Sequence, residues 1–535
     1  MKSLKRYLAL ILALCLCAGL LSACTQEEEE ERLTFRAALS TLPATLDPAL
    51  ATTATEKTVL VHLFENLMKL TPDGPVCAQA KSYTCTDNED GTQTYVFTLR
   101  EDICWSDGKP VTAQDFAYSW VRLLDPELAS PNAAILDTVA GYDTAIESDP
   151  DALQVWADEQ GRLVVVLSEP DPCFLSTACT AVATMPIRQD AVEGSRNWAA
   201  SKATLRTNGA YGLRQWTDNR MEMVAVETYY DHKRLGPECL EITFTADQEQ
   251  AMALFRDGRV DFAMGAGYEE DATVVDLPVV GVVVVNQMAG NLGREEVRRA
   301  MNLAIDRNAL AAELGENYVA ADGLIPSGIS TLEGGSFRAA NGAVVDNNPE
   351  DLEANLAAAK ELLQRSGWGS GWDPYLRKIT LLYESSPGNT RIATMLQQQW
   401  KDNLGIEVTL QSAPTDRWKT DLTSGEFTLA LLTVTTDRND ASSLLRAWQS
   451  EDPRNYGQYY SSAYEMLLNV AAKSTGAEAH DAYLEDAERL LVESGYAMPL
   501  YMKTTSYALR NDMLGLFGDG LGTCYFTNIS VIPAA

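Results

Sequence analysis

Residues 95–120 read YVFTLREDICWSDGKPVTAQDFAYSW, and this stretch combines a strand, a turn and the start of a helix. In its first five residues the large apolar side chains of Tyr95, Phe97 and Leu99 alternate with Val96 and Thr98. This period of two predicts a half-buried strand. The SDGKP run then supplies turn chemistry. Thr112 and Asp115 fit a capping box, and Phe116 and Trp120 follow four residues apart on one helix face. From its own residues, the stretch is scaffold.

The same stretch resembles the signature of family 5 of the bacterial extracellular solute-binding proteins, which has the form Y-x-F-x-L-R-x-x-x-x-W-S-D-G-x-P-V-T-A-x-D-F. Other segments resemble the family in the same order along the chain: TLDP at 45–48, FENL at 64–67, NGAY at 208–211 and RRAMNLAIDR at 298–307. The resemblance implies an α/β fold of the periplasmic-binding-protein type, with two lobes, a hinge and three domains (the cluster C arrangement). It also implies a ligand buried between lobes that close on it.

The length of the chain is too great for one hydrophobic core, and no Gly/Ser-rich or Pro-rich linker divides it. We therefore expect domains whose chain crosses back and forth. The predicted segments are a lipoprotein signal peptide at 1–23, a lipidated acidic tether at 24–32, a first discontinuous α/β lobe at 33–72, 187–285 and 506–535, a satellite domain at 73–186, and a second α/β lobe at 286–505.

Apolar periodicity predicts several individual elements. A helix is expected over residues 55–70, and a second over residues 295–314. Val282–Val285 is a continuous apolar run, which is typical of a central strand covered on both faces. Strands alternate with helices in the C-terminal half, and this pattern predicts a mainly parallel sheet.

The first residues predict export. The chain begins with three basic residues, Lys2, Lys5 and Arg6. The apolar run that follows them is too short for a transmembrane helix, as is typical of a secretory signal. The LSAC sequence ending at Cys24 resembles a bacterial lipobox, which implies cleavage before Cys24 and a lipid on its sulfur; an ordinary signal peptide is the alternative. The glutamates at 27–31 predict a solvated spacer. We expect the protein on the extracytoplasmic face of the bacterial cell membrane, anchored by lipid.

Charge and cysteine content limit the possible partners. The formal net charge is −33, which argues against nucleic acid or anionic lipid as the ligand. Either Cys173 with Cys179 or Cys77 with Cys85 is close enough in sequence to pair outside the membrane, but connectivity cannot be derived from sequence. The three histidines are scattered, and the mature chain has no C-x-x-C, so we expect neither a metal nor a cofactor.

Catalytic motifs are missing from the sequence. It contains no H-E-x-x-H, no G-x-S-x-G and no phosphate-binding G-x-x-x-x-G-K-[S/T]. An enzyme needs a nucleophile, a base or a metal, and no pattern of residues supplies one. We therefore predict that the protein is not an enzyme, and a secreted hydrolase is the least favoured reading.

Asp437 is the principal candidate for ligand binding. On local grounds an aspartate that follows the apolar run LLTVTT at 431–436 is a turn residue. The family resemblance implies more, because the corresponding family run, G-W-x-x-D-Y-x-x-P, contains an aspartate that accepts the α-ammonium group of a peptide. A fixed carboxylate recognises any free N-terminus. Val434, Arg438 and Ala441 depart from the family's tryptophan, aromatic residue and proline, so a different ligand is conceivable.

The resemblance implies further cleft residues. An extended peptide would add as a strand to main chain on both sides of the cleft, at Thr433, Val434, Thr435 and Thr436 on one side and at Thr52, Thr53 and Ala54 on the other. Asn132 stands where peptide receptors often carry a tyrosine. Trp418 aligns with an aromatic residue beside a side-chain pocket, although it would serve equally as core. Arg438 either pairs with Asp440 or reaches a ligand carboxylate, and we favour the ion pair.

The expected function is capture of small peptides and their delivery to a membrane permease. The implied partners are the permease and ATPase subunits of an ABC importer; the receptor itself is expected to be a monomer that does not bind nucleic acid. In other members of the family the same fold binds metal chelates, haem or oligosaccharides. One of these ligands is the alternative to a peptide.

Overall fold

The structure, a computed structural model, describes residues 33–195, 197–265, 272–290, 292–368, 378–474 and 476–532. The predicted signal peptide, Cys24 and the acidic tether at 24–32 lie outside the described residues. Within those residues, no helix has both the length and the apolar character that are needed to cross a lipid bilayer.

A mixed sheet of eleven strands runs through the described part of the chain. In spatial order its strands are Val408–Ala413, Ile379–Glu384, Leu429–Thr435, Thr273–Val285, Ala497–Leu509, Phe262–Met264, Thr34–Ser40, Cys239–Thr245, Arg220–Ala225 and Tyr211–Trp216, and Tyr318–Ala320 also pairs with Ala497–Leu509. The remaining strands form small sheets: Ala80–Asp87, Gln93–Leu99, Leu163–Leu167 and Val155–Ala157; Met68–Thr71 with Gly74–Cys77; Met513–Leu514 with Ser530–Val531; and Phe517–Gly518 with Cys524–Tyr525.

Two long strands, Thr273–Val285 and Ala497–Leu509, connect the two lobes. They pair with each other antiparallel, and the register is irregular between Asp276 and Val280, around Pro278. A proline cannot donate to the ladder, so the pairing is weakest there. The first lobe continues the sheet on one side and the second lobe on the other. The irregular segment is therefore where hinge bending costs least.

The helices cover the faces of these sheets. The α-helices are Ala54–Leu63, Ala113–Leu123, Tyr142–Glu147, Gln189–Gly194, Gln248–Arg256, Glu295–Leu303, Arg307–Leu314, Phe337–Asn341, Leu352–Arg365, Pro387–Leu404, Thr415–Ser424, Ala441–Leu445, Ser462–Ala472 and Ala477–Glu493. Short 3-10 turns are at Pro48–Leu50, Ala133–Leu136, Pro150–Ala152, Val182–Thr184, His232–Arg234, Gln287–Ala289, Pro349–Asp351 and Arg446–Trp448.

The block at 95–120 folds as predicted, within the satellite domain. Tyr95 and Phe97 are buried in the strand Gln93–Leu99, and Phe116 and Trp120 are fully buried in the helix that follows. Asp115 accepts hydrogen bonds from the backbone N–H of Thr112 at 2.8 Å and from its hydroxyl at 2.8 Å, which completes the helix cap. The apolar core of this domain is continuous with that of the first lobe.

The second lobe has a core on each face of its sheet. Val282 and Val284 pack into one cluster, while Val283 and Val285 pack into another on the opposite face. Successive side chains of a strand point to opposite faces, so a strand buried on both faces must be apolar throughout. The prediction of a central strand at 282–285 is confirmed.

Two predicted helices are shorter than expected. The helix predicted over 55–70 ends at Leu63, because the carbonyl of Leu63 accepts the backbone N–H of Gly209 at 2.9 Å and the chain then turns into the strand Met68–Thr71. The helix predicted over 295–314 is broken at Ala304, and Asp306 caps the second piece by accepting the N–H of Ala309 at 3.0 Å. Both interruptions arise from hydrogen bonds that apolar periodicity does not report.

Strand pairing corrects two further expectations. The sheet is mixed rather than mainly parallel, because both long connecting strands run antiparallel to their neighbours. Residues 279–285 pair with Leu429–Thr435, so they lie with the second lobe, although the predicted boundary after residue 285 assigned them to the first.

The proposed pairs Cys77–Cys85 and Cys173–Cys179 are absent, since all seven cysteines in the described residues are free thiols.

Candidate functional site

A cavity lies where the two lobes and the satellite domain meet. It encloses about 550 Å³ of empty space, including its mouth open to solvent. Its wall combines residues from all three domains: Ala51, Lys57, Leu70, Asn132, Ile135, Ser176, Thr177, Thr180, Ala181, Val182, Ala183, Asp437, Asn439, Asp519, Leu521, Thr523 and Tyr525.

Asp437 reaches the cavity from a turn whose other polar side chains are engaged elsewhere. The Thr436 hydroxyl accepts the N–H of Arg438 at 3.0 Å. The amide of Asn439 donates to the Ser330 hydroxyl at 3.0 Å and to the carbonyl of Asp519 at 2.7 Å. Asp437 itself is exposed to solvent. The neighbours of Asp437 are therefore held, and within the described residues no hydrogen bond or ion pair engages its carboxylate.

Arg438 does not line the cavity, and the predicted ion pair with Asp440 is wrong, while contact with a ligand carboxylate stays a prediction. Its guanidinium donates to the carbonyl of Ala134 and to the carboxylate of Asp137, both in the satellite domain. Only 8% of Arg438 is exposed, and although burial opposes its charge, the nearby carboxylates of Asp137, Asp171 and Asp437 together raise the pKa of Arg438. Arg438 therefore ties the turn to the satellite domain, and Asp440, its predicted partner, caps the helix Ala441–Leu445 instead.

Asn132 lines the same cavity as Asp437, but its amide group is used internally. Its Nδ2 donates to the carbonyls of Ala49 and Ala51, at 3.1 and 3.0 Å, and the residue is 8% exposed. It holds the backbone that leads into the predicted cleft segment at 52–54. Its Oδ1 is the atom that stays available to a ligand.

The main chain at 52–54 is less available than predicted. The backbone N–H groups of Thr52 and Thr53 donate to the carboxylate of Glu56, at 2.9 and 3.0 Å, as part of a helix cap. The carbonyl of Thr53 accepts the N–H of Lys57 at 3.0 Å. Ala54 starts the helix itself. A peptide cannot use these two N–H groups as strand donors, and main-chain pairing through the other backbone groups on this side stays a prediction.

The strand on the other side of the cleft has an open edge. The ladder between Ile379–Glu384 and Leu429–Thr435 joins only the first two residues of the latter, Leu429 and Ala430. Its remaining residues have a strand neighbour on one side alone among the described residues, at 279–283. Backbone groups along the other edge are therefore free to pair with an added strand.

The side chains on this strand alternate as its period requires. Thr433 and Thr435 are exposed, whereas Val434 packs against the second lobe's core together with Trp418. Trp418 is partly buried against that core, and its place beside a side-chain pocket stays a prediction. Within the described residues, the structure brings Asp437 and Asn132 to the cavity wall, and Thr433, Val434, Thr435, Thr436, Thr52, Thr53, Ala54, Trp418 and Arg438 do not line it.

Most of the wall residues were not predicted, and three of them carry a charge or an amide group: Lys57, Asn439 and Asp519. Lys57 follows the helix cap, and Asn439 and Asp519 hydrogen-bond across the cavity. Burial raises the pKa of Asp519, although hydrogen bonds from residues 521 and 523 and the charge of Lys57 oppose this. In the sequence these three residues stand out only as polar residues at the ends of apolar segments. Many solvent-exposed residues occupy such positions, so the signal does not single out a site.

A cysteine and a histidine meet beside the cavity. The thiol of Cys173 donates to Asp440 Oδ1 at 3.4 Å and lies 3.9 Å from His480 Nε2, while Asp481 lies 3.2 Å from the other ring nitrogen. Burial raises the pKa of the Cys173 thiol well above its usual range, and the carboxylates of Asp440 and Asp171 act in the same direction. A cysteine nucleophile needs a lowered pKa, so this arrangement opposes thiolate chemistry.

One group of side chains has the spacing of metal ligands. Glu222, Cys239 and Glu241 lie on neighbouring strands with their ligand atoms within 4.8 Å of one another. Arg214 pairs with Glu222 at 3.2 Å and Arg220 with Glu241 at 2.8 Å, and burial raises the pKa of Cys239 to about 11. Their charges are already balanced, so the group is a surface ion-pair network.

These features define the class of protein. Two lobes joined by a pair of long strands enclose a cavity between them, and a fixed carboxylate faces that cavity. This is the architecture of a receptor that closes around a solute.

Comparisons with known proteins identify the family. Residues 46–456 match the bacterial extracellular solute-binding proteins, family 5, and the chain belongs to this family. It is 29% identical to the periplasmic murein peptide-binding protein MppA of Escherichia coli, over 88% of this chain and 87% of the relative. It is 28% identical to the probable deoxycholate-binding periplasmic protein YgiS of Escherichia coli, over 86% of each chain.

The fold agrees with a solved structure of such a receptor. The unliganded open form of the periplasmic murein tripeptide binding protein MppA superposes with a TM-score of 0.79 at 25% identity, covering 94% of this chain and 98% of that one. The predicted fold class, a two-lobed α/β receptor of the periplasmic-binding-protein type, is confirmed.

Proposed function

We propose that this receptor captures short peptides with a free N-terminus between its lobes and delivers them to the permease of an ABC importer. The observation that carries the proposal is the carboxylate of Asp437, which is exposed to the cavity while its neighbours in the turn are held by other contacts. A preorganised carboxylate binds an ammonium group without paying to order its own loop.

The backbone around the site supports an extended ligand. The open edge of Leu429–Thr435 leads directly to Asp437, so a peptide whose ammonium group meets Asp437 can pair its own backbone along that edge. Main-chain pairing gives affinity with little selectivity for side chains. The relatives named for murein peptides are consistent with such a ligand.

A non-peptide solute is the second candidate. The relative named as a probable deoxycholate-binding protein favours it, because that name implies a family member with a steroid acid as ligand. Metal chelates, haem and oligosaccharides are further alternatives. A steroid acid offers a carboxylate and no amine, so Asp437 would repel it at neutral pH. The exposed carboxylate therefore favours a ligand that carries an amine.

The receptor acts by binding rather than by catalysis. The family binds solutes, and the raised pKa of the buried Cys173 thiol argues against its use as a nucleophile. We further propose that cleavage before Cys24 and lipidation of its sulfur anchor a monomeric receptor at the extracytoplasmic face of the membrane, where it meets the permease. Mass spectrometry of the mature N-terminus tests the anchor, since replacing Cys24 with alanine should leave the protein without lipid and release it from the membrane.

The peptide proposal is tested with the ligand that the purified protein retains. Native mass spectrometry identifies that ligand, and calorimetry then compares its free and N-acetylated forms. We expect Asp437→Asn to weaken binding of the free form about 100-fold, because a desolvated ammonium group loses its countercharge. Asp416→Asn, at an exposed position of the same lobe, is the matched control. Equal affinity for the free and acetylated forms would contradict the proposal.

A further inference from the structure

A second cavity lies within the second lobe and shares no wall residue with the ligand cavity. It contains about 500 Å³ of empty space, including its mouth open to solvent. The helix Glu295–Leu303, the end of the helix Ala477–Glu493 and the segment 344–346 meet around it. The polar residues of its wall are Arg299, Asn302, Arg307, Asp346, Asn355 and Glu493.

Arg307 differs from the other buried arginines because its charge has no partner of opposite charge. Five arginines are buried in the described part of the chain, and four of them have a group that stabilises their charge. Three form ion pairs with carboxylates: Arg188 with Asp107, Arg338 with Glu488 and Arg438 with Asp137. Arg298 stacks on the ring of Tyr496, with 3.8 Å between its guanidinium carbon and the ring centroid. Among these five, only Arg307 has neither an ion pair nor an aromatic ring against it.

Neutral oxygen atoms accept the hydrogen bonds of Arg307. Its Nε donates to the carbonyl of Pro499 at 2.6 Å, and its Nη1 donates to the carbonyls of Asn302 and Ile305 at 3.2 and 3.3 Å. Its Nη2 donates to the side-chain oxygen of Asn302. A guanidinium group has five N–H groups, so within the described residues one N–H on Nη2 has no acceptor.

These carbonyl groups satisfy donors without neutralising the charge of Arg307. The carbonyl of Asn302 lies at the C-terminal end of the helix Glu295–Leu303, and a helix dipole offsets at most about half of a unit charge. Burial lowers the pKa of Arg307 to about 9, and no charged group opposes this shift. The wall of the second cavity therefore contains a positive charge that is not balanced.

Two further groups of the wall are able to donate to an anion. Arg299 is exposed, and its pair with Glu295 at 3.3 Å is a surface contact of small free energy. The amide of Asn302 has a fixed orientation, because its Oδ1 accepts from Arg307 and its Nδ2 donates to the carbonyl of Val492 at 3.1 Å. The second N–H on Nδ2 has no acceptor within the described residues.

The two carboxylates of the wall oppose an anion only weakly. Asp346 is exposed and accepts the N–H of Asn348 at 3.0 Å and the amide of Asn355 at 3.1 Å. Glu493 is exposed and pairs with Arg489 at 3.7 Å. Solvent and salt screen exposed charges, so the buried charge of Arg307 dominates the inner part of the cavity.

We propose that the second cavity binds a small oxyanion of the phosphate class, which accepts N–H groups from Arg307 and Arg299 and supplies the countercharge that Arg307 lacks. The planar donors of a guanidinium group match the oxygens of such an anion. The occupant is the free anion rather than the headgroup of an anionic lipid, because a formal net charge of −33 repels an anionic membrane. The anion binds only the folded lobe and therefore stabilises it.

The test is titration calorimetry of the full mature protein with inorganic phosphate, at neutral pH and constant ionic strength. We expect one phosphate to bind with a Kd of about 1 mM or below, which corresponds to two charge-assisted hydrogen bonds. Phosphate also stabilises proteins by exclusion from their surface, so the readout is a saturable heat rather than a higher melting temperature.

Variants assign that heat to the cavity. Arg299→Gln, at an exposed position, should weaken phosphate binding about 10-fold, because one charge-assisted hydrogen bond is lost. Arg307→Lys should also weaken it about 10-fold, since lysine keeps the charge but not the planar pair of donors. Arg391→Gln, which removes an exposed arginine of the same lobe, should bind phosphate as the wild type does. If Arg307→Lys does not fold, Arg299→Gln decides.

A wild-type protein without a saturable heat overturns the inference, as does an Arg299→Gln variant that binds phosphate with the wild-type affinity. Flotation with phosphatidylglycerol vesicles tests the source of the anion, using the Cys24→Ala variant so that no lipid anchor contributes. We expect no more flotation than with phosphatidylcholine vesicles. Flotation that requires phosphatidylglycerol and disappears when Arg299→Gln is added would assign the cavity to a lipid headgroup and overturn the assignment to a free anion.

Discussion

The block at 95–120 and the turn at 436–440 both join a strand to a helix, yet they use their polar groups in opposite ways. In the block, Asp115 caps its own helix and the indole of Trp120 donates to a buried carbonyl. In the turn, the neighbours of Asp437 are held by other contacts while its carboxylate faces a cavity. A segment whose polar groups are paired internally contributes stability, and a segment that keeps a fixed charge unpaired contributes binding.

The largest effect is expected in the block. Trp120 is fully buried, and its Nε1 donates to the carbonyl of Thr184 at 2.9 Å. Trp120→Ala should lower the free energy of unfolding by about 3–5 kcal/mol through the cavity that it leaves. Denaturant unfolding measures this loss. Trp156→Ala, at a position 41% exposed in the same domain, should cost less than about 1 kcal/mol; equal losses in the two variants would contradict the burial argument.

His62 extends the comparison to a buried scaffold group that titrates. Its Nδ1 donates to the carbonyl of Thr58 at 2.6 Å, and its Nε2 accepts the N–H of Phe526 at 2.9 Å. Burial lowers its pKa from 6.5 to about 4. Between these values the unfolded chain holds a proton that the folded protein excludes, so the free energy of unfolding falls as the pH is lowered.

We expect this effect to remove roughly 2 kcal/mol of stability between pH 7 and pH 5. Urea unfolding at both pH values measures it. In His62→Gln the difference between the two pH values should shrink by that amount, whereas His232→Gln should preserve it. A His62→Gln variant with the wild-type pH dependence would show that another group is responsible.

A smaller loss of stability is expected for a substitution of Arg438, which joins the turn that carries Asp437 to the satellite domain. Arg438→Gln removes the contacts with Ala134 and Asp137 and leaves Asp137 free to hydrate, since its side chain is 41% exposed. The free energy of unfolding should fall by about 1–2 kcal/mol, and peptide affinity should fall several-fold because the turn loses its tether. Calorimetry and unfolding measure the two quantities. Arg391→Gln, at an exposed position of the same lobe, is the control and should change neither the free energy of unfolding nor the peptide affinity. If Arg438→Gln binds peptide as the wild type does, the turn does not depend on the contacts of Arg438 for its rigidity.

Local patterns predicted the scaffold well, and the reason is that its determinants are contiguous. The strand, cap and buried helix face of the block all lie within 26 residues of sequence. The helix expected to reach residue 70 stops at Leu63 because Gly209, far along the chain, takes its last carbonyl. Such a contact leaves no mark in the periodicity of the helix itself.

The site was less predictable because it is assembled by packing. The importance of Asp437 came from family resemblance, since a turn aspartate is unremarkable in isolation. The partner of Arg438 is 301 residues away in sequence, so a nearer aspartate was preferred incorrectly. Lys57 was missed for a similar reason: it lines the same cavity as Asp437 only because two lobes and a satellite domain meet there.

The most direct test measures peptide affinity and the free energy of unfolding in the same two variants, Asp437→Asn and Trp120→Ala, at a temperature where both are folded. The expected result is a crossed pattern. Asp437→Asn should lose about 100-fold in affinity for a free-amine peptide with a change in unfolding free energy below about 0.5 kcal/mol, and Trp120→Ala should lose stability while its folded fraction binds as the wild type does. Wild-type affinity in Asp437→Asn would contradict the assignment of ligand recognition to this turn.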